Sequence, residues 1–161
     1  MALFKSLFHV TLFVNDINAT LEFYEKLGFK TIFQIPEDKN EPGWNDYMKL
    51  ADGQYLEIQP TNCTNPHPHP KKSHYYEDQT VWHFALETED IDNMIKTLLE
   101  RGIVLYLDPE KSRLVTKPED VFVGHDGCRI CWVIDPDGTP IELMEQTGLT
   151  LQKKYDPESY R

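Results

Sequence analysis

The stretch Phe8-His9-Val10-Thr11-Leu12-Phe13-Val14, followed by Asp16-Ile17 and then Gly28, decides how this chain is read, because it recurs. Trp82-His83-Phe84, Asp90-Ile91 and Gly102 repeat its landmarks. His9 to His83, Asp16 to Asp90 and Gly28 to Gly102 are each 74 residues apart. A second pair of segments matches at a spacing of 85: Asp52-Gly53-Gln54-Tyr55-Leu56-Glu57-Ile58 and Asp137-Gly138-Thr139-Pro140-Ile141-Glu142-Leu143. Fixed spacings of this kind mark a duplicated module. Each copy brings one His near its start and one Glu near its end, which suggests a two-fold-related His, Glu, His, Glu site.

Working outward, Leu7 to Val14 alternates, with His9 and Thr11 on the face opposite Val10 and Leu12, as in a strand. Asn15-Asp16 is a helix N-cap, since a short polar side chain can accept from free helix N–H groups. Ile17, Leu21, Tyr24 and Leu27 follow at helical spacing, and Gly28 supplies the stop. Phe29 to Ile35 reads as a strand. Tyr47 to Leu50 and Gln54 to Gln59 read as a hairpin around Asp52-Gly53. In the second copy the strand is Val81 to Glu87, the cap Asp90, the helical stripe Ile91, Met94, Ile95 and Leu98, and the stop Gly102. Ile103 to Leu107, Ile130 to Ile134 and Pro140 to Met144 then read as strands, the last two flanking the turn Asp135-Pro136-Asp137-Gly138. Each copy is strand, helix, then about three strands. The expected organisation is a βαβββ module over 1–60, a Pro/His-rich connection or lid over 61–79, a second module over 80–146 and a loose charged tail over 147–161. The Lys111 to Asp120 segment reads as a polar excursion.

Face by face, His9, Glu57, His83 and Glu142 each sit between apolar neighbours expected to pack under the helices. The four polar side chains then face the other side of their sheets. Two imidazoles and two carboxylates suit one divalent cation, Zn²⁺, Ni²⁺, Co²⁺ or Mn²⁺ ahead of iron, and balance its charge. Such a site can polarise a carbonyl and stabilise an enediolate, and a carboxylate there can move a proton from carbon. A lone His or Glu on a strand is ordinarily just hydrogen-bonded or solvated; four at repeat-related positions are not independent.

The segments Phe8 to Val14, Phe23-Tyr24-Glu25-Lys26-Leu27-Gly28-Phe29 and Ile134 to Leu143 resemble the vicinal oxygen chelate superfamily, which includes glyoxalase I, extradiol dioxygenases, methylmalonyl-CoA epimerase, and fosfomycin and bleomycin resistance proteins. The resemblance covers most of residues 5–146. It implies an α+β fold of two paired βαβββ modules forming a half-barrel metal-binding cleft, often in a dimer whose chains share sites. Carried over by position, the metal ligands of glyoxalase I match His9, Glu57, His83 and Glu142. The resemblance also implies Glu142 as the catalytic base and Glu57 as its partner in proton transfer. The expected activity is that of a glyoxalase I-like lyase or isomerase acting next to a carbonyl, as on a methylglyoxal–thiol hemithioacetal. The Pro60 to Thr80 segment and the lack of recognisable glutathione-binding basic residues depart from compact bacterial glyoxalase I.

Other members set the alternatives. An acyl-CoA epimerase carries Gln where this chain has Glu57. An extradiol dioxygenase or a fosfomycin-modifying transferase needs only His9, His83 and Glu142. A drug-binding relative generally lacks the ligand set.

Composition narrows the partners. The chain has 161 residues, a net charge of −11 and three cysteines. With no basic run it is a poor nucleic-acid binder, and no apolar stretch approaches the roughly 20 residues that span a bilayer. Odd cysteine count and the absence of a signal-like start point to a reducing, cytoplasmic setting, with a small molecule as partner. His67, His69 and His74 read as polar loop residues, and Cys128 and Cys131 as packing residues. The aromatic residues Trp44, Tyr47 and Phe122, and also His125, stay unassigned.

Overall fold

The computed structural model describes residues 7–35, 45–60 and 82–157. The connection expected at 61–79, with His67, His69 and His74, and also Trp44 and Cys63, lie outside the described residues. The chain divides into two compact units, Met1–His69 and Pro70–Arg161. Both are mixed sheets with few helices, as the α+β reading expected.

The first unit runs β1 (His9–Val14), α1 (Ile17–Lys26), β2 (Lys30–Ile35), β3 (Asn45–Ala51), β4 (Gln54–Pro60). Its sheet has the order β1-β4-β3-β2, with β1 parallel to β4 and the other pairs antiparallel. Asp16 caps α1 by accepting from the Ala19 amide at 3.1 Å, satisfying one of the helix's free donors. Gly28, at φ +105°, takes the left-handed turn that ends it. Val14, Met48, Leu56 and Ile58 are buried, as are Thr20 and Tyr24 from α1. The face carrying His9, Thr11 and Glu57 is thereby the opposite one.

The second unit runs β5 (Phe84–Glu87), α2 (Ile91–Glu100), β6 (Leu105–Tyr106), β7 (Leu114–Val115), a 3₁₀ turn (Pro118–Asp120), β8 (Cys128–Ile134), β9 (Pro140–Gln146) and α3 (Leu151–Tyr155). Its order is β5-β9-β8-β6-β7, again with the first pair parallel. Asp90 accepts from the Asn93 amide at 2.9 Å, and Ile91, Ile95 and Leu98 of α2 are buried. Arg129 is the polar hub. It reaches Asp92 of α2 at 2.7 Å, Glu145 of β9 at 3.5 Å, and the carbonyls of Pro118 and Val121 at 3.3 and 3.4 Å.

Three expectations change. The strand expected from Val81 begins only at Phe84, so His83 stands just before it. The Lys111 to Asp120 excursion contains β7 and the 3₁₀ turn, held by the Asp120 carboxylate, which accepts from the Thr116 amide and hydroxyl and the Lys117 amide. The start of the tail is docked: the Thr147 hydroxyl donates to the Gly127 carbonyl at 2.7 Å, and the Leu151 amide to the Asp126 carbonyl at 3.0 Å. Among the described residues, no helix is long and apolar enough to cross a membrane.

Candidate functional site

In the first unit, strand register builds the site. Thr11 of β1 stands opposite Glu57 of β4, Glu57 opposite Tyr47 of β3, and Tyr47 opposite Phe33 of β2, giving a row across the sheet. His9 lies two residues before Thr11, on the same face. Its Nε2 is 3.5 Å from Glu57 Oε2. The Thr11 hydroxyl donates to Glu57 Oε2 at 2.6 Å and the Asn45 amide to Oε1 at 2.5 Å. The Tyr47 phenol is pushed above its ordinary value, first by burial and then by the Glu57 charge and hydrogen bond. The His9 ring meets Phe8 at 5.6 Å and Tyr47 at 5.7 Å, both edge-on.

The second unit repeats the plan. Ala85, Glu142, Trp132 and Tyr106 form the corresponding row across β5, β9, β8 and β6. His83 Nε2 is 3.3 Å from Glu142 Oε2. The His83 ring lies edge-on to Trp82 at 4.6 Å and to Trp132 at 5.1 Å. Both imidazoles are thus flanked by the aromatic residue before them and by one aromatic on the next-but-one strand. That corrects the expectation that Phe8 and Trp82 pack under the helices: both precede their strands, where strict alternation has not begun.

The donor chemistry and spacing suit a divalent cation. Two ligand atoms about 2.1 Å from one ion lie roughly 3.0 Å apart at a right angle and roughly 3.4 Å apart at the tetrahedral angle. The two Nε2–Oε2 separations, 3.5 and 3.3 Å, match the wider edge. Nε2 of each ring faces its carboxylate, which makes it the nitrogen placed to coordinate, while Nδ1 of both rings is buried without a hydrogen-bond partner among the described residues. The structure brings together His9 with Glu57 and His83 with Glu142, each within its own unit. Among the described residues, no group of three or more His, Cys, Asp or Glu side chains is arranged to hold an ion.

Sequence reasoning missed Thr11 and Asn45 and left Tyr47 unassigned. A signal existed for Tyr47, because 85 residues on stands Trp132, another aromatic. Cys128 and Cys131 are buried in β8, and burial pushes the Cys131 thiol up to about 12. That is the inert packing role.

Residues 6–143 match the model of the Glyoxalase/Bleomycin resistance protein/Dioxygenase superfamily. Among solved structures, a glyoxalase family protein from Enterococcus faecalis aligns with TM-score 0.63 and 28% identity, covering 89% of this chain and 100% of its own. A superfamily member from Sphaerobacter thermophilus aligns with TM-score 0.59 and 23% identity, over 90% and 100%. The oxidase ChaP-H2 aligns with TM-score 0.57 and 18% identity, over 89% and 94%, a likeness of fold alone. No curated protein matches the chain.

Proposed function

Because the chain belongs to the Glyoxalase/Bleomycin resistance protein/Dioxygenase superfamily, we propose that it is a glyoxalase I-like, metal-dependent lyase or isomerase that moves a proton alpha to a carbonyl. The observation that carries this reading is the imidazole–carboxylate pair, formed twice at repeat-related positions with nearly the same Nε2–Oε2 separation. His9, Glu57, His83 and Glu142 would together hold one Zn²⁺, Ni²⁺, Co²⁺ or Mn²⁺, within one chain or across a homodimer. A bound cation would supply Lewis-acid polarisation of the substrate carbonyl.

The substrate class is an α-oxoaldehyde–thiol adduct such as the methylglyoxal hemithioacetal. Its product, a 2-hydroxyacyl thioester, is an isomer, so no oxidant or cosubstrate is needed. One proton leaves the carbon bearing sulfur and hydroxyl and one arrives at the neighbouring carbonyl carbon, while the hydroxyl oxygen gives up its proton to become the thioester carbonyl and the former carbonyl oxygen takes one up to become the hydroxyl. Glu142 takes the first proton, and Glu57 is its partner in proton transfer. The Glu142 side chain is only 16% exposed, and partial burial of this kind strengthens electrostatic effects. The buried free thiols Cys128 and Cys131 suit a cytoplasmic location.

The test begins with elemental analysis of protein purified without an affinity tag or chelator. About one Zn, Ni, Co or Mn per chain, followed by turnover of hemithioacetals from a panel of thiols, is the expected result. Turnover of acyl-CoA epimers instead would replace the substrate class. Tightly held iron with catechol-dependent oxygen uptake would replace the reaction by a dioxygenase. A protein that refuses all added divalent ions would leave a binding protein.

A further inference from the structure

The two imidazole–carboxylate pairs match in position but differ in how the carboxylate is held. Each oxygen of Glu57 has a side-chain donor, Thr11 on Oε2 and Asn45 on Oε1. The repeat carries Thr11 onto Ala85 and Asn45 onto Ile130, at the spacings of 74 and 85 residues. Register agrees with the arithmetic. Thr11 and Ala85 each stand directly opposite the carboxylate residue on the parallel neighbour. Asn45 and Ile130 each lie two residues before the aromatic that faces the carboxylate from the antiparallel side, Tyr47 or Trp132. Ala and Ile side chains carry no donor. Among the described residues, the close polar partner of the Glu142 carboxylate is His83.

We infer that Thr11 and Asn45 are positioning residues that make Glu57 the fixed carboxylate of the site, while Ala85 and Ile130 leave Glu142 unanchored. The inference rests on the metal-dependent reading above in taking both carboxylates as ligands. A carboxylate that takes a proton from carbon has to turn a lone pair toward it. Turning Glu57 breaks the charge-assisted hydrogen bonds from Thr11 and Asn45 and draws it away from the Tyr47 phenol, whereas at the repeat-related positions Ala85 and Ile130 hold no donor that turning Glu142 would lose. A site with two anchored carboxylates would retain an ion and transfer protons poorly. One with two loose carboxylates would retain it weakly. The duplicated modules have diverged at two donor positions, and those positions separate retention from proton transfer.

The test is calorimetric titration of the chelator-stripped full chain with Ni²⁺, for the wild type, Thr11→Val, Thr11→Ser, Asn45→Leu and Ala85→Thr. Loss of an outer hydrogen-bond partner of a metal ligand typically weakens affinity about 10–100-fold. Thr11→Val and Asn45→Leu are each expected to weaken Ni²⁺ binding at least tenfold, and Thr11→Ser, which keeps the hydroxyl, to restore it. Ala85→Thr, which gives Glu142 the hydroxyl that Glu57 has, is expected to tighten Ni²⁺ binding and to lower kcat on the hemithioacetal. It reads the same inference in the other unit should a first-unit variant fail to fold. Wild type that binds Ni²⁺ with Thr11→Val and Asn45→Leu unchanged overturns this inference alone. So does equal weakening by Thr11→Val and Thr11→Ser, which is a packing effect, or an Ala85→Thr protein that binds and turns over as the wild type does. Wild type that binds no Ni²⁺ overturns it together with the metal-dependent reading.

Discussion

Replacing Arg129 by Met should destabilise the second unit by about 2–3 kcal/mol, and the structure supplies the reasoning. The Arg129 side chain is four-fifths buried (20% exposed), and from β8 its guanidinium reaches α2, β9 and the 3₁₀ turn. Asp92 is 51% exposed and regains water when Arg129 is lost. Its pair is therefore worth no more than a surface ion pair, about 0.5–1 kcal/mol. Glu145 is 21% exposed and keeps the Ile91 amide at 3.2 Å. Losing its counter-charge at 3.5 Å costs about 1 kcal/mol, the low end for a charged partner. The Pro118 and Val121 carbonyls lose long hydrogen bonds, about 0.5 kcal/mol each. The Met chain refills most of the apolar volume, so little cavity cost is added. For a unit of this size the shift in melting midpoint is on the order of 10 °C. Guanidinium unfolding followed by the fluorescence of Trp82 and Trp132, both in this unit, measures it. Arg129→Lys should recover less than half of the loss, because an ammonium cannot fork between two carboxylates and two carbonyls. Lys49→Ala, which removes only the exposed pair with Asp52, should leave the midpoint where it is. An Arg129→Met protein within about 0.5 kcal/mol of wild type, inside the range of ordinary surface changes, would refute this account of the hub.

Gly127→Ala should lower thermal stability by about 2 kcal/mol or more. The glycine has φ +82°, and an added Cβ would meet the Leu149 carbonyl oxygen at 2.3 Å, so a left-handed penalty and a displaced tail act together; a melting curve matching wild type contradicts the docked tail. The Asp120 carboxyl is held below its ordinary value of 3.8, chiefly by the Thr116 amide and hydroxyl. A depressed folded-state value means that its stabilisation is present above the unfolded value and is lost as pH falls through the folded one. Carboxyl NMR titration should place its midpoint below 3.8, with protection of the Thr116 and Lys117 amides declining over the same acid range. A midpoint at or above that value rejects the cap. Cys128 and Cys131 should resist iodoacetamide at pH 8 in the folded protein and react once it is unfolded, as read by peptide mass mapping. Alkylation of Cys131 in the native state would show that β8 opens readily.

The family, the two-module plan and the four side chains put forward as ligands were legible in the chain because their signals are local or periodic. Asp16 and Asp90 cap helices through their own neighbours, Gly28 and Gly102 turn where a Cβ is disfavoured, and the repeat aligns His9 with His83 and Glu57 with Glu142 without knowledge of any contact. The docking of the tail on Gly127, the strand at Leu114–Val115 and the hub at Arg129 were not legible, since each is made by groups distant in sequence. The same holds at the site. Thr11 and Asn45 lie 46 and 12 residues from Glu57, and their approach depends on strand register, which is set by turns and by irregularities such as the one between Lys49 and Ala51. Sequence by itself determined which residue types recur and at what spacing. Only the tertiary structure decided that one carboxylate is tied down by a hydroxyl and an amide while its repeat-mate faces Ala85 and Trp132, because hydrogen bonds between strands are fixed by register and not by proximity along the chain.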